Sequence, residues 1–294
     1  MARILAISSQ VAHGAIGLSA VLPALQALGH EVIALPTILL SNHPGHSRFA
    51  GERVAPDLLR RMLDALEANG WLAGIDAVLT GYLPSVEHVA LARDAVERLT
   101  AKRSGLLYLC DPVLGDDPKG LYIEPAAADA ILGQLVPLAG ALTPNRFELS
   151  FITGRPIISA MTALEALDAL GRTTVVIAKS LPGPTGAELV NAVAVGGVPL
   201  ALARIRRRPA AQHGTGDLMA ALVLAALVEG REATAALALA TAVLDRTLAV
   251  SLGRDELLLS GLPRSLAEVE PWPLDAPDGR IDSGNWSMDP GHVS

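Results

Sequence analysis

The strongest chemical signal in the chain is the segment GTGD, in which Gly214, Thr215, Gly216 and Asp217 lead directly into the apolar run LMAALVLAALV. Glycines let the backbone approach a ligand closely, and a helix that starts here presents unpaired N–H groups at its positive end. These features favour an anion site. Asp217 then has two interpretations. It caps the helix by accepting N–H bonds, or it takes a proton from a hydroxyl beside a bound phosphate.

A second candidate is the acidic segment CDPVLGDD, which contains Asp111, Asp116 and Asp117 and follows the apolar run LLYL. Carboxylates are the hard oxygen ligands that Mg²⁺ prefers, and Mg²⁺ keeps several waters beside them. The simpler interpretation is a turn punctuated by proline and glycine, with its acids in solvent. Taken alone, the segment favours the turn.

The third candidate is TPNRFE, residues 143–148. Asn145 followed three residues later by Glu148 is typical of a capping box at the start of a helix. The functional alternative places Glu148 near Mg²⁺, directly or through a water.

Elements that alternate along the chain must position these three segments. Short apolar runs predict strands, and longer runs with helical spacing, several closed by glycine, predict helices. The predicted strands are residues 3–8, 31–35, 76–80, 106–110 and 173–178; the predicted helices are 17–28, 56–69, 86–101, 214–228 and 232–252. Residues 188–195 and 199–205 predict a hairpin around Gly196 and Gly197.

This alternation predicts a three-layer α/β/α sandwich with a mostly parallel central sheet. The late hairpin predicts an antiparallel edge, which such sheets often carry. Ligands of open α/β sheets bind beyond the carboxyl ends of the strands. Polar residues that follow Ser8, Leu35, Thr80, Cys110, Leu142 and Ala178 are therefore expected to converge on one crevice.

Composition limits the function classes. The chain has 294 residues, is 51% hydrophobic and carries a formal charge of −7, so it is a poor general binder of nucleic acid. A single cysteine, Cys110, rules out an intrachain disulfide. The start lacks a signal-peptide pattern, and the apolar stretch at residues 218–228 is too short for a membrane span. We expect a cytoplasmic protein with one domain at residues 1–270 and a poorly ordered tail at 271–294.

These motifs resemble a known family. CDPVLGDD followed by KGLYI, then TPNRFE and then GTGD occur in this order in the ribokinase superfamily, and the chain most resembles the pyridoxal kinases from residue 4 to about 257. ILAISSQVAHGAIG resembles the opening segment of that family, LPTILLSNH the segment after its second strand, GYLPS its Gly-Tyr-Leu turn, and IAKS a nucleotide-contacting strand end. The combination is much more specific than GTGD alone.

The resemblance implies a ribokinase-like fold and Mg-ATP-dependent phosphorylation of the 5′-hydroxymethyl group of pyridoxal, pyridoxine or pyridoxamine. Asp217 is then the general base, and the amides of Gly214, Thr215 and Gly216 stabilise the transferring phosphoryl group. The resemblance places Ser9, Thr37, His43 and Tyr82 around the substrate, Asp111, Thr143, Glu148 and Lys179 around ATP, and Asp111 and Glu148 near Mg²⁺. It also implies a homodimer, and it leaves a monovalent cation open as a second cofactor.

The chain departs from the family pattern after SNH. The family commonly continues with Thr-Gln-Tyr-Gly, whereas this chain has Pro44, Gly45, His46 and Ser47. Two polar substrate contacts are thereby replaced by a turn. A kinase of another hydroxymethyl heterocycle such as hydroxymethylpyrimidine, of a sugar or of a nucleoside therefore stays open, as does a non-catalytic ligand-binding protein.

The segment before GTGD is also unusual, because it carries Arg204, Arg206, Arg207 and Arg208. These arginines form either a solvated hairpin arm or a clamp on ATP phosphates. A nucleic-acid patch is disfavoured because no aromatic residues are interleaved with them.

Overall fold

The computed structural model describes residues 1–168, 170, 174–208 and 212–277 of the chain. Within these residues, nine strands form one sheet and two more form a small ribbon. The strands are β1 (Arg3–Val11), β2 (Glu31–Leu40), β3 (Gly51–Arg53), β4 (Ala77–Thr80), β5 (Leu107–Cys110), β6 (Gly115–Asp116), β7 (Gly120–Leu121), β8 (Ala141–Leu142), β9 (Val175–Pro182), β10 (Glu188–Val195) and β11 (Val198–Arg206).

The large sheet has the strand order β11-β10-β9-β8-β5-β4-β1-β2-β3. Its six central strands, from β9 to β2, run parallel to their neighbours. Both edges are antiparallel, with β10 and β11 on one side and β3 on the other. The predicted mostly parallel sheet with an antiparallel edge hairpin is confirmed.

Helices cover both faces of the sheet. They are α1 (Leu18–Ala27), α2 (Pro56–Ala68), α3 (Val86–Lys102), α4 (Pro125–Ala130) with a π-helical turn at Ile131–Leu135, α5 (Arg146–Thr153), α6 (Ala160–Asp168), α7 (Thr215–Val228) and α8 (Ala233–Val250). Side chains of α1, α7 and α8 fill one core, and those of α2 to α6 fill the other.

Strand β1 shows why two cores form. Its side chains alternate between the faces of the sheet, so Leu5 and Ile7 pack with α2 to α6, while Ile4 and Ala6 pack with α1, α7 and α8. All four are fully buried. A strand buried on both faces reads as a continuous apolar run, which is the pattern of RILAI in the sequence.

Helix α8 is long and apolar enough to meet the composition of a membrane span. Its side chains from Ala236 to Leu244 are largely buried in the core beside α7. Burial inside the protein thus accounts for the apolar composition of this helix.

Several elements differ from the predictions. β1 and β2 run three and five residues beyond the predicted ends at 8 and 35. Strand β3 and the β6–β7 ribbon were not predicted, because these strands are only two or three residues long. Helix α6 was also missed, although Ser159 precedes it and its Oγ accepts from the Thr162 N–H at 3.2 Å. The glycine closures of α1 and α2 agree with the sequence, since Gly29 and Gly70 take the left-handed conformation.

The first residues of the predicted tail lie against the sheet. Trp272 is half-buried, and its indole N–H donates to the Arg204 carbonyl oxygen at 2.9 Å. Asp275 exchanges two backbone hydrogen bonds with Leu202 of β11. The rest of the segment predicted to be poorly ordered, from residue 278, lies outside the described residues.

Candidate active site

A buried ion pair joins Lys179, within β9, to Asp111, which follows the last residue of β5. The Lys179 ammonium group donates to Asp111 Oδ1 at 2.7 Å, and the Thr143 hydroxyl donates to the same oxygen at 2.9 Å. Burial lowers the pKa of Lys179, but the charges of Asp111 and Glu148 outweigh burial, so this pKa lies above its usual value. Lys179 therefore stays charged and leaves a positive group beside the carboxyl ends of three strands.

Glu148 is buried next to this pair, and its carboxylate closes the predicted capping box. Its Oε2 accepts from the Asn145 N–H at 2.8 Å, while the Asn145 side chain accepts from the Glu148 N–H at 2.9 Å. Glu148 Oε1 accepts from the Leu114 N–H at 3.0 Å. Burial, and next the charge of Asp111, raise the pKa of Glu148. The capping interpretation is confirmed, and it fixes this carboxyl close to Asp111.

Asp217 lies in the first turn of α7. The residue before this helix is Gly214, and no described side chain caps the helix start. Asp217 is thus not the capping residue, and the first N–H groups of α7 are left for another acceptor. Burial, and next the charge of Asp111, raise the pKa of Asp217 to about 6, while the Gly17 N–H and Lys179 act in the opposite direction.

Lys179 joins Asp217 to the ion pair. Its ammonium nitrogen lies 3.5 Å from the Gly216 carbonyl oxygen in the first turn of α7. The helix start, two acidic side chains and one buried cation therefore share one region. Such an arrangement binds an anion and holds a partly protonated carboxyl beside it.

Gly214 is required by close packing at the helix start. It has φ +88°, and a Cβ added there would lie 1.6 Å from the Ala15 carbonyl oxygen. We expect Gly214→Ala to lower the free energy of unfolding by more than about 2 kcal/mol, because both the backbone strain and the clash oppose it. Urea unfolding measures this change.

Gly230 provides the matched control for that variant. It has φ +77°, and an added Cβ would meet no described atom within 4 Å. Gly230→Ala should cost only the left-handed strain of about 1–2 kcal/mol. Equal losses for the two variants would contradict the packing argument.

Three residues assigned to the substrate lie on neighbouring strands: Ser9 and Thr37 are near the ends of β1 and β2, and Tyr82 follows β4. The Thr37 hydroxyl donates to the Tyr82 carbonyl oxygen at 2.7 Å, and the Tyr82 N–H donates to Ser8 Oγ at 3.0 Å. Ser9 is buried directly beside Gly17, whose added Cβ would lie 2.3 Å from Ser9 Oγ. Burial raises the pKa of Tyr82, so its phenol stays neutral.

His43 is placed in a group of imidazoles that the sequence did not predict. Its ring stacks on His213, with centroids 3.5 Å apart and planes at 18°. His46 contacts Glu256, with Nε2 and Oε1 separated by 3.0 Å. His213 directly precedes GTGD, but nothing in the sequence pairs it with His43 or places Glu256 beside His46, so only the folded chain reveals these contacts.

The arginine cluster divides into paired and exposed members. Arg204 pairs with Asp275 at 2.9 Å, and Arg208 pairs with Asp245 at 2.6 Å. Arg206 and Arg207 are exposed, and neither has an ion pair in the part of the chain that the structure describes. The hairpin-arm interpretation agrees with these two exposed side chains.

The expected convergence of polar residues is present at the end of the sheet where the parallel strands have their carboxyl ends, which is called the edge from here on. Lys179 lies within β9, while Thr143 and Asp111 directly follow β8 and β5. Farther along the sheet, Tyr82 follows β4, and Ser9 and Thr37 lie within the last four residues of β1 and β2. The charged residues thus occupy one half of the edge, and the small hydroxyl and aromatic residues occupy the other. Asp217 lies within reach of Asp111 and Lys179 on the charged side and of Gly17 on the other.

Comparisons with known proteins agree with this arrangement. The family model described as phosphomethylpyrimidine kinase matches residues 12–257. The pyridoxal kinase PdxY of Leifsonia xyli subsp. xyli is 36% identical over 239 residues, which cover 80% of this chain and 84% of that protein. Human pyridoxal kinase is also 36% identical, over 76% of each chain.

A solved structure extends the likeness to three dimensions. The pyridoxal kinase of Leishmania donovani in complex with ADP and pyridoxamine superposes with a TM-score of 0.83 at 26% identity. The match covers 92% of this chain and 97% of that one. Sequence, fold and the layout of the strand ends lead to one conclusion: the chain belongs to the pyridoxal kinase family, on the domain described as phosphomethylpyrimidine kinase.

Proposed function

We propose that this protein transfers the γ-phosphoryl group of ATP to the 5′-hydroxymethyl group of pyridoxal, pyridoxine or pyridoxamine. The observation that carries the proposal is the Asp217 carboxyl, whose pKa is raised to about 6 at the start of an α7 helix that no described side chain caps. A carboxyl in that range is mostly ionised at neutral pH yet more basic than an ordinary aspartate. Family membership supports the choice of substrate.

The proposed reaction is an in-line displacement. The substrate hydroxyl oxygen attacks the γ-phosphorus, the bond from γ-phosphorus to the bridging oxygen breaks, and ADP leaves. Asp217 accepts the hydroxyl proton as the new O–P bond forms. The N–H groups of Gly214, Thr215 and Gly216 donate to the phosphoryl oxygens, where negative charge must be held in place.

The charged half of the edge suits the nucleotide. Lys179 and Thr143 would contact its phosphates, with Lys179 held in place by Asp111 at 2.7 Å. The buried cation compensates phosphate charge without any need for a flexible side chain to close on it.

Asp111 and Glu148 fit a magnesium ion that is shared with the nucleotide. Within the described residues, no group of three His, Cys, Asp or Glu side chains forms a metal cage. Mg²⁺ is usually held by one or two carboxylates together with substrate phosphates, which is the donor set present here. When bound, Mg²⁺ would neutralise charge on the β- and γ-phosphates.

The substrate half suits a flat polar ring. Hydroxyl, aromatic and imidazole groups come here from residues in or just after the adjoining strands β1, β2 and β4, namely Ser9, Thr37, His43 and Tyr82. Asp217 borders this group, since the Gly17 N–H beside Ser9 contacts its carboxyl. The predicted homodimer, the cytoplasmic location and a monovalent cation stay predictions beside this proposal.

The pKa of Asp217 sets a pH dependence. The base must be ionised, so kcat/KM for pyridoxal should fall about tenfold per pH unit below about 6 and level off above it. Initial rates of ATP-dependent phosphorylation, measured from about pH 5 to about pH 8, show this acid side of the pH profile. Pyridoxine, whose ring titrates differently from that of pyridoxal, provides a check. If the apparent pKa of the profile differs between pyridoxal and pyridoxine, it reports titration of the substrate and not of Asp217.

Hydroxymethylpyrimidine is the second candidate substrate. The matching family model is described as phosphomethylpyrimidine kinase, and Pro44 and Gly45 replace polar residues that the resemblance assigns to pyridoxal contacts. A panel of pyridoxal, pyridoxine, pyridoxamine and hydroxymethylpyrimidine at equal ATP separates the two. We expect the highest kcat/KM for a B6 vitamer, and a clear preference for the pyrimidine would overturn the proposed substrate.

A further inference from the structure

Three histidines and one glutamate form a cluster at the substrate half of the edge. His43 and His46 lie in the loop at residues 41–50, His213 directly precedes the first turn of α7, and Glu256 follows α8. His46 also meets His213 edge-on, with ring centroids 6.5 Å apart. We call His43, His46, His213 and Glu256 the histidine cluster.

The stack in this cluster depends on Gly45. An added Cβ at this position would lie 2.7 Å from His43 Nδ1 and 3.1 Å from His213 Nε2. A glutamine side chain at position 45 would therefore push the stacked rings out of place. The departure from the family pattern at Pro44 and Gly45 is thus coupled to a second feature, a histidine placed just before GTGD.

Glu256 reaches the loop from the far end of the chain. Its carboxylate is mostly buried, with 12% of the side chain exposed, and Oε1 contacts His46 Nε2 at 3.0 Å. Oε2 is buried and has no hydrogen-bond partner among the described residues. The same carboxylate rests on Gly14 of the glycine loop, where an added Cβ would lie 2.7 Å from Oε2. Glu256 therefore touches two loops that border the substrate half.

Within the described part of the chain, the remaining hydrogen bonds of the loop at 41–50 do not attach it to the helices. Its backbone bonds run to the neighbouring glycine loop, where the His13 N–H donates to the Ser41 carbonyl oxygen at 2.8 Å. Others close the loop on itself, as when the Asn42 side-chain amide donates to the Arg48 carbonyl oxygen at 3.0 Å. The histidine cluster is what joins this loop to the start of α7 and to Glu256.

We propose that Glu256 is a positioning residue for the ring substrate, and that it acts through His46 to hold the loop at 41–50 so that His43, stacked on His213, borders the ring. This inference rests on the proposed function and deepens it. In place of the missing Thr-Gln pair, the chain uses packed imidazoles to shape and polarise the site.

The protonation of His43 suits this role. Burial, and next the charge of His213, lower the pKa of His43 to about 4, and burial lowers the pKa of His213 as well. Both rings are neutral at pH 7, so the stack does not place two cations together. His43 Nδ1 accepts from the Gly45 N–H at 2.9 Å, so the neutral ring carries its proton on Nε2. That N–H is a donor for an oxygen or nitrogen atom of a polar heterocycle.

Steady-state kinetics with pyridoxal and ATP test the proposal. In Glu256→Gln and His46→Ala, KM for pyridoxal should rise about tenfold, the factor expected for one lost charge-assisted hydrogen bond. KM for ATP and kcat should change less than about threefold, because the nucleotide half is untouched. His46→Gln keeps a donor for Glu256 and should recover most of the loss. Gly45→Ala, which pushes the stack apart, should resemble Glu256→Gln.

Glu229→Gln provides the matched control. Glu229 faces His30 at 3.9 Å, and both lie at the opposite edge of the sheet, after α7 and before β2. This variant should leave both KM values unchanged. An unchanged KM for pyridoxal in Glu256→Gln, or equal rises in both KM values, would overturn the inference.

Direct binding separates this inference from the proposed function. Calorimetric titration of the same variants with pyridoxal requires no turnover. If the unaltered protein binds pyridoxal without phosphorylating it, and Glu256→Gln weakens binding about tenfold, the positioning role stands and the kinase proposal fails. If the unaltered protein binds no pyridoxal, both are overturned.

Discussion

Asp217→Asn is expected to lower kcat for pyridoxal phosphorylation by about 10²–10⁴-fold, the usual contribution of a positioned general base. The amide has nearly the same shape, so the helix start and the phosphate contacts remain in place. Because Asp217 acts on the proton rather than on the ground-state ligands, both KM values should change less than about threefold. Initial-rate assays over both substrates measure these values. Full activity in this variant would remove Asp217 as the base.

Asp57→Asn is the control for that variant. Asp57 also lies in the first turn of a helix, α2, but it is exposed. Its replacement should leave kcat within about twofold, since a solvated surface side chain does not meet the reacting atoms.

Asp217→Asn also has an expected effect on the stability of the protein. Folding raises the pKa of Asp217 from 3.8 to about 6, so the carboxyl binds its proton more tightly in the folded state. The stability that this protonation adds is present below about pH 4 and is lost as pH rises through about 6. At pH 8, Asp217→Asn should therefore raise the free energy of unfolding by up to about 3 kcal/mol. A catalytic group that destabilises the folded state is typical of active sites.

Lys179→Met is expected to lower the free energy of unfolding by about 3–5 kcal/mol, because removal of one member of a buried ion pair leaves an uncompensated charge. Asp111 is 3% exposed and Glu148 is 3% exposed, so neither carboxylate gains water in exchange. Phosphoryl transfer should be lost as well, since ATP would then meet two acidic groups without the buried cation. Urea unfolding and an ATP-binding titration measure the two effects.

Two further variants test whether the loss of stability in Lys179→Met comes from breaking the buried ion pair. Lys102→Met removes a lysine that is 56% exposed and pairs with Glu67 on the surface, and it should change stability by less than about 1 kcal/mol. Asp111→Asn combined with Lys179→Met removes both charges and should recover part of the lost stability. Equal losses for Lys179→Met and Lys102→Met would contradict the role of the buried pair.

Much of the fold could be predicted from local pattern. Continuous apolar runs such as 3–8 and 106–110 signal strands buried on both faces, and glycines that take the left-handed conformation mark where α1 and α2 end. Antiparallel β3 and the β6–β7 ribbon could not be predicted, because two or three residues carry no period. Their pairing depends on strands elsewhere in the chain, such as β2 for β3.

The site residues also divide into those that have a local sequence signal and those that do not. The charged half could be predicted because Asp111 and Lys179 each follow a predicted strand, and Thr143 follows Leu142 at a predicted turn. The carboxyl ends of parallel strands share one edge. The capping box of Asn145 and Glu148 was accessible because both partners lie three residues apart. The histidine cluster could not be predicted, since His46 and Glu256 are 210 residues apart and neither belongs to a short-range motif.

The most direct test of the central claim is the rate of pyridoxal 5′-phosphate formation by the purified protein with ATP and Mg²⁺, compared with Asp217→Asn under the same conditions. We expect product to form in step with ADP, at a rate that the variant reduces by about 10²-fold or more. Product formation that is unaffected by the variant would contradict the account, as would the absence of phosphoryl transfer to any B6 vitamer.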